Sequence, residues 1–293
     1  MDIDAIKSFV TVSEYGSFSL AAEKLFVTQP AISKRISALE VSLDTRLFDR
    51  LGKQVQLTEA GKTLLPKAQK ILADIDDATR SVRDLSGEVH GDLHVATSHH
   101  IGLHKLPPVL RDFAEHYPKV NLRFEFLDSE VACERVLQGK CELALVTLPP
   151  RVEPPLAATA VWRDPLVFAT SRQHSLAADC TLAELSQRPA ILPDLNTYTG
   201  QLIHRFFNEQ GLGLNISMAT NFLETIKMLC SVGLGWSVLP TSMVDEQLKV
   251  LHVDGIALER DLGLIRHTGR TTSNAANAFI NRLNARSPTA SKH

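Results

Sequence analysis

The chain has 293 residues, of which 44% are hydrophobic and 22% charged, and its formal net charge is −2. That is enough apolar material for two packed domains, which excludes a largely disordered chain. So small a net charge excludes a protein that coats nucleic acid with its whole surface.

The first ninety residues read as nearly all helix. Ile3, Ile6, Phe9 and Val10 recur at the spacing of an amphipathic helix, which Gly16 ends. Ser17 or Ser19 caps the next helix, SLAAEKL. After the break FVTQP comes a third helix, AISKRISALEVSL, with Thr28 as N-cap and Pro30 in the first turn. Ala31, Ile32, Ile36 and Leu39 face inward with Ala21, Leu25 and Val27, and Ser33, Lys34, Arg35 and Ser37 face out. Two short helices joined by a tight turn, the second basic outside, form a helix-turn-helix pattern. RLFDRLGKQVQLTEAG then holds two short β-like pieces around Leu51–Gly52, a candidate wing. Between Lys24 and Lys70 stand nine Lys and Arg against four Asp and Glu, a basic patch on a mildly acidic protein. This suits site-specific binding to double-stranded DNA.

Each residue on that face has a chemical use. Gln29 makes a bidentate contact to a base edge, Ser33 donates or accepts one turn later, and Pro30 and Ala31 meet a thymine methyl. Lys34 and Arg35 suit phosphates, while Arg50 and Lys53 flank the wing tip, where they enter the minor groove or clamp its phosphates. With Thr28 at the helix start, these nine residues are the candidate DNA contacts.

Gly61, Leu64, Ala68, Ile71, Ile75, Ala78, Val82 and Leu85 then alternate spacings of three and four. This is an a/d seam, and it predicts a dimerising helix capped by Thr58, kinked near Pro66 and ending at Ser86–Gly87. From Gly91 strands alternate with helices: DLHVAT, LPPVLRDFAEHY, VNLRFEFL, a helix over 129–138, then ELALVTL. This is a βαβαβ unit with a mostly parallel sheet. PPRVEPP breaks it. A second α/β lobe follows with PLVFAT, PAILP, GQLIHRFFNEQ, ISMAT, FLETIKMLCSV and WSVLP, before LGLIRH returns to the first lobe and SNAANAFINRL closes the chain.

AAEKL, TQPAIS, ISALE, RLFDR, LTEAG, YPKVNL and VGLGWSVLP stand in order over almost the whole chain. In this ordered set the chain resembles the LysR-type transcriptional regulators. Two positions depart from the family pattern: Asp44 stands where Gly is usual, at a helix end that Gly takes more cheaply, and Glu142 where Asp is usual. The resemblance supports Gln29, Pro30, Ser33 and Arg50 as DNA contacts. It places a small-molecule effector in the cleft of the C-terminal domain and implies that dimers pair further into tetramers.

The expected architecture is an N-terminal all-α winged helix-turn-helix (1–58), a linker and dimerisation helix (59–87) and a C-terminal α/β two-lobed effector-binding domain (88–293) like the periplasmic solute-binding proteins. Lobe I is expected at about 91–160 and 266–293, lobe II at about 165–265. Ligands in such folds sit between the lobes, at strand C-terminal ends and helix N-termini. The candidate effector residues are Ser98, His99, His100, Thr147, Asn196, Thr197, Thr199 and Phe222, a set that suits a small organic anion. Ser98 and Thr197, one from each lobe, are its expected hydrogen-bond partners, and His99 or His100 adds charge below about pH 6.5. A closed, ligand-bound form resets the spacing of the DNA-reading heads, bends or relaxes DNA and changes access of RNA polymerase, the remaining candidate partner.

Other chemistries find less support. His94, His99, His100 and His104 crowd together but straddle a strand, a loop and a helix start, with no fixed i,i+4 pair, so no metal and no cofactor are expected. Cys133, Cys141, Cys180 and Cys230 form no CxxC pair and read as reduced, mostly buried thiols without a redox role. No nucleophile elbow, P-loop or dinucleotide fingerprint argues for an enzyme. The start MDIDAIKSFV is acidic, without the apolar core of a signal peptide, and no run of about 18 apolar residues spans a membrane. A cytoplasmic regulator is therefore expected rather than an exported solute-binding protein.

Overall fold

The computed structural model describes residues 2–51 and 54–286. They divide near Gly87 into two compact units.

The first unit opens with α1 (Ile3–Tyr15), α2 (Phe18–Lys24) and α3 (Gln29–Ser42). Gly16 takes φ 60° and returns its N–H to Val12, the left-handed stop that a residue without Cβ adopts at least cost. Ser17 caps α2 by accepting the Leu20 N–H. Thr28 holds the N-cap position of α3, but its side chain makes no cap bond. Phe9, Ala21, Ile32, Ile36 and Leu39 form the centre of the core, as the spacing predicts, and Val12 joins them, whereas Ile3 is exposed. Asp44 adopts φ 49°, so the chain keeps a left-handed turn there with an aspartate in place of glycine.

The wing is an antiparallel pair, β1 (Phe48–Leu51) and β2 (Gln54–Leu57). α4 (Glu59–Arg83) follows, capped by Thr58, whose Oγ1 accepts the Gly61 N–H at 3.0 Å. A Cβ on Gly61 would collide with the Leu47 carbonyl, which explains glycine in LTEAG. α4 does not present one continuous seam. Gly61 and Ala68 are buried, and Leu64 and Ile71 pack on the core of their own unit. Val82 and Leu85 remain 71% and 83% exposed. The helix ends at Arg83 and passes into a 3₁₀ turn over Asp84–Ser86.

The second unit begins with β3 (Gly91–Thr97), α5 (His99–His104), α6 (Pro107–His116), β4 (Val120–Phe126), α7 (Ser129–Leu137) and β5 (Leu143–Thr147). β3 lies between β4 and β5, parallel to both. β6 (Leu156–Ser171) leaves this lobe, and α8 (Leu182–Gln187), β7 (Ala190–Leu192), α9 (Tyr198–Glu209), β8 (Ile216–Ala219), α10 (Leu223–Ser231), β9 (Trp236–Pro240) and β10 (Leu248–Leu251) build the second. β11 (Leu258–His267) returns, and α11 (Asn274–Ala285) packs on the first lobe.

The sheet order is β4-β3-β5-β11-β6-β9-β7-β8, with β10 also on β6. β6 and β11 are the shared spine. Residues 262–266 of β11 pair with β5, while residues 166–170 of β6 pair with β9. The sequence divided these strands too finely. PLVFAT is the second half of a sixteen-residue strand, and β11 starts before LGLIRH, so the expected lobe boundary at 266 falls inside a strand of the one sheet that runs through both lobes. α8 and β10 were not expected at all.

Each lobe has its own core: Phe113, Phe279 and Leu93 in the first, Phe207 stacked on Trp236 in the second. Glu142 accepts the N–H and the hydroxyl of Ser273, and Ser273 in turn caps α11 through the Ala276 N–H. A carboxylate is used here, and glutamate reaches it.

Candidate functional site

The candidate reading face lies on α3, and the helix geometry follows from the local sequence. Pro30 fixes the first turn, Ile32, Ile36 and Leu39 anchor the inner face, and Thr28, Gln29, Pro30 and Lys34 are exposed. Gln29 Nε2 lies 3.3 Å from Ser33 Oγ, so these two residues share one edge of the helix a turn apart. Ala31 and Ser33 are half-buried. Arg35 differs from the expectation of a free phosphate ligand: its guanidinium pairs with Asp4 of α1 at 2.9 Å. Lys53 lies outside the described residues, as does the side chain of Arg50. Phe26, in the turn before α3, takes φ 54° and is 95% exposed.

In the second unit a recess with about 520 Å³ of empty space, part of it open to solvent, lies between the lobes. Ser98, His99, His100 and Thr147 line it from the first lobe and Thr197 and Thr199 from the second, as the sequence predicts. The strand ends deliver them: Ser98 and Thr147 follow or end β3 and β5, and Thr197 precedes α9.

Two expected residues are elsewhere. Asn196 is exposed and off the cavity wall, with its backbone N–H turned to Asp194. Phe222 is also off the wall and packs edge-on against His99, ring centres 4.8 Å apart. Thr197 lines the cavity but its hydroxyl is spent, accepting the Gly200 N–H and donating to the Asp194 carbonyl. Ser98 makes no such cap bond. The positive end of α9 is taken as well, since the Glu130 carboxylate accepts the Tyr198 N–H. The Thr197 hydroxyl is thus engaged within its own helix start, while the Ser98 side chain makes no cap bond.

The cavity also contains charges that sequence reasoning missed. Arg260, from β11, lines it while only 9% exposed. Its Nε bonds Asp164 Oδ2 at 2.9 Å and its Nη1 bonds Thr199 Oγ1 at 2.6 Å. Nη2 is 2.9 Å from the same Asp164 oxygen but makes no hydrogen bond. Burial pushes the Asp164 carboxyl up, yet His100 and Arg260 together hold it below its ordinary value. Burial lowers the His100 imidazole, and the Arg260 charge adds to this against the pull of Asp164. His100 thus stays neutral further into acid than an exposed histidine, contrary to the expected gain of charge there.

Asp128 and Glu130 also line the cavity. Asn221 Nδ2 reaches Asp128 across the lobes at 2.7 Å, and burial raises the Glu130 carboxyl. The signal for Arg260 was present in LERDLGLIRH. A cation stands there at the same alternating register as Leu258 and Leu262, and both leucines are buried.

His99, His100 and His104 all lie on α5, because the helix starts directly after Ser98. The i,i+4 pair that the sequence reading lacked is therefore present as His100 and His104. The four cysteines are free. Burial pushes the Cys133 thiol up to about 11 and the Cys230 thiol to about 12, the reverse of a reactive thiolate. Among the described residues no helix is long and apolar enough to cross a membrane.

Two family models match the chain. The model for the bacterial regulatory helix-turn-helix protein, lysR family, covers residues 3–62, and that for the LysR substrate binding domain covers residues 86–288. An HTH-type transcriptional regulator in the ibpB-leuC intergenic region of Azotobacter vinelandii is 57% identical over 108 residues, 37% of this chain and 75% of that protein. A probable RuBisCO transcriptional regulator of Trichormus variabilis is 30% identical over 289 residues, 94% of this chain and 86% of that protein. Among solved structures, full-length CbnR complexed with its target DNA shares the fold, with TM-score 0.67 and 22% identity over 98% of this chain and 100% of that one.

Proposed function

Because the chain belongs to the LysR family of bacterial transcriptional regulators, we propose that its cleft receives a small organic anion that also carries a hydroxyl or ammonium group. The protein is a DNA-binding transcriptional regulator with an effector-binding domain, and the family is one of regulators, not enzymes. One observation carries the effector reading: a buried cation, Arg260, stands on the cavity wall with an Nη2 that makes no hydrogen bond. A buried donor left without an acceptor is costly, and an anionic oxygen relieves that cost. Ser98, Thr147 and Thr199 supply hydroxyls on the same cavity wall. Asp128 and Glu130 repel a second anionic group and favour a donor, hence the hydroxyl or ammonium.

On the DNA side, Gln29, Pro30 and Ser33 read base edges, with Lys34, Arg50 and Lys53 on phosphates and Thr28, Ala31 and Arg35 in supporting places. Two copies join through the distal part of α4, and dimers pair into tetramers in the cytoplasm. An effector held by both lobes favours one arrangement of the second unit, which resets the paired DNA-reading heads and RNA polymerase access. The test is calorimetry with organic acids, each with and without a hydroxyl or amino group, on wild type, Ser98→Ala and Thr199→Val. A hydroxy or amino acid should bind and both variants should weaken it. Equal binding by all three proteins refutes the residues, and binding restricted to cations or neutral compounds refutes the anion.

A further inference from the structure

At the edge of the cleft, apart from the groups assigned to the effector's charge, stands a second cluster. His100 and His104 project from α5 of the first lobe, four residues apart on one helix, with ring centres 4.9 Å apart. Glu224 comes from the first turn of α10 in the second lobe. One ring nitrogen of each histidine and a carboxylate oxygen of Glu224 lie within 4.8 Å of one another. His104 Nε2 and Glu224 Oε1 are 2.9 Å apart.

The state of His100 separates this cluster from an ordinary ion pair. It is 5% exposed, and neither of its ring nitrogens has a hydrogen-bond partner. A buried imidazole with both nitrogens unsatisfied is costly. Asp164 Oδ2 lies 3.7 Å from Nε2, too far for a hydrogen bond but within reach of a small ring adjustment.

We propose that His100, His104 and Glu224 hold a divalent transition-metal ion that ties the two lobes together. Two imidazoles and one carboxylate form a donor set that zinc and its neighbours accept, with a fourth position left for water or another ligand. Asp164 is placed to receive a histidine N–H, the outer partner that such ligands use to set their tautomer. Arg260 and Lys105 both lie beside Asp164, at 2.9 and 3.9 Å, so their charge is partly offset there. The His104–Glu224 separation of 2.9 Å is shorter than that between two ligands of one tetrahedral zinc, and other separations reach up to 4.8 Å, so small ring and carboxylate adjustments accompany binding. Since the ligands come from both lobes, the metal binds this arrangement of the lobes better than an open one and shifts the population toward it.

The experiment uses the full chain without an affinity tag, stripped with chelator and titrated with Co²⁺, then with Zn²⁺ in competition. The Co²⁺ visible spectrum reports a nitrogen and oxygen ligand set. Wild type should take up one equivalent per chain, displaced by Zn²⁺. His104→Ala and Glu224→Gln should each weaken binding by about tenfold or more, since even outer partners of metal ligands are worth that much. His116→Ala, on α6 and outside the cluster, should leave the affinity unchanged. Glu224→Gln sits on the surface and preserves side-chain shape, so it tests the site even if His104→Ala disturbs folding. Absence of uptake by wild type overturns the proposal. So does an affinity unchanged in Glu224→Gln and in folded His104→Ala, or a spectrum dominated by thiolate-to-metal charge transfer.

Discussion

The DNA-reading face and the effector cleft hold their polar groups in opposite ways. At α3 the seven proposed contact residues lie within the eight positions from Thr28 to Arg35, and four of them, Thr28, Gln29, Pro30 and Lys34, are exposed. In the cleft, side chains from seven separate segments are buried and bound to one another, as Arg260 is to Asp164 and Thr199. A solvated face costs little to build and is free to meet a partner. A buried polar group left unsatisfied, as at Arg260 Nη2 and His100, costs stability until a ligand meets it. Substitutions on α3 should therefore change binding and spare stability, whereas those in the cleft change both.

The largest test of this contrast is Arg260→Met. Asp164 would remain buried without its partner, a loss of about 3–5 kcal/mol in urea unfolding of the second unit. Asp164→Leu combined with Arg260→Met should recover most of it. A mild effect of the single change would mean that water reaches the pair and that the cleft is not built as a closed network.

A similar division runs along α4. Leu64→Lys puts a charge against the core of the first unit and should unfold it. Val82→Lys with Leu85→Lys should keep the helix content but dissociate the dimer, as seen by analytical ultracentrifugation. This pair tests the seam more cleanly than charges at Ile71, which packs on its own unit. An intact dimer after the Val82 and Leu85 changes would move the interface elsewhere.

Gln29→Ala is the converse case. It should cost about 1–3 kcal/mol in discrimination between operator and scrambled DNA by anisotropy. Its unfolding free energy should stay within about 0.5 kcal/mol of wild type. Unchanged discrimination would remove Gln29 from the base-reading set.

The smallest expected effect concerns Glu130. Burial raises its carboxyl from an ordinary value of 4.5, so the folded chain holds that proton more tightly than the unfolded one. Its favourable contribution is complete below that ordinary value and is lost as pH rises through the folded value. Glu130→Gln keeps an oxygen for the Tyr198 N–H without the buried charge. It should raise Tm at about pH 8 and change it little at about pH 4. Equal shifts at both pH values would show that packing, not charge, is responsible.

Much of the first unit was legible because its determinants are local. The spacing of Phe9, Ile32, Ile36 and Leu39, the caps Ser17 and Thr58 and the stop at Gly16 each act within a few residues. The same holds for the strand and helix order of the second unit and for Ser98, Thr147 and Thr199 on the cavity wall. What escaped was non-local. Arg260 was hidden because its meaning depends on Asp164, almost a hundred positions away, and Thr197 was overrated because its cap bonds to Gly200 and Asp194 were not visible in the residue type.

The sequence by itself determined the helix-turn-helix, the wing, the long helix and the alternation of strands and helices, since hydrophobic period and capping chemistry are written along the chain. Only the tertiary structure decided which groups meet across the lobes: Glu130 on the start of α9, Asn221 on Asp128, and His104 on Glu224. It also decided how the stripe of α4 is shared between an inner core and a free end. The physical reason is that burial and partner choice set the state of a polar group, and both are properties of the folded neighbourhood rather than of the residue.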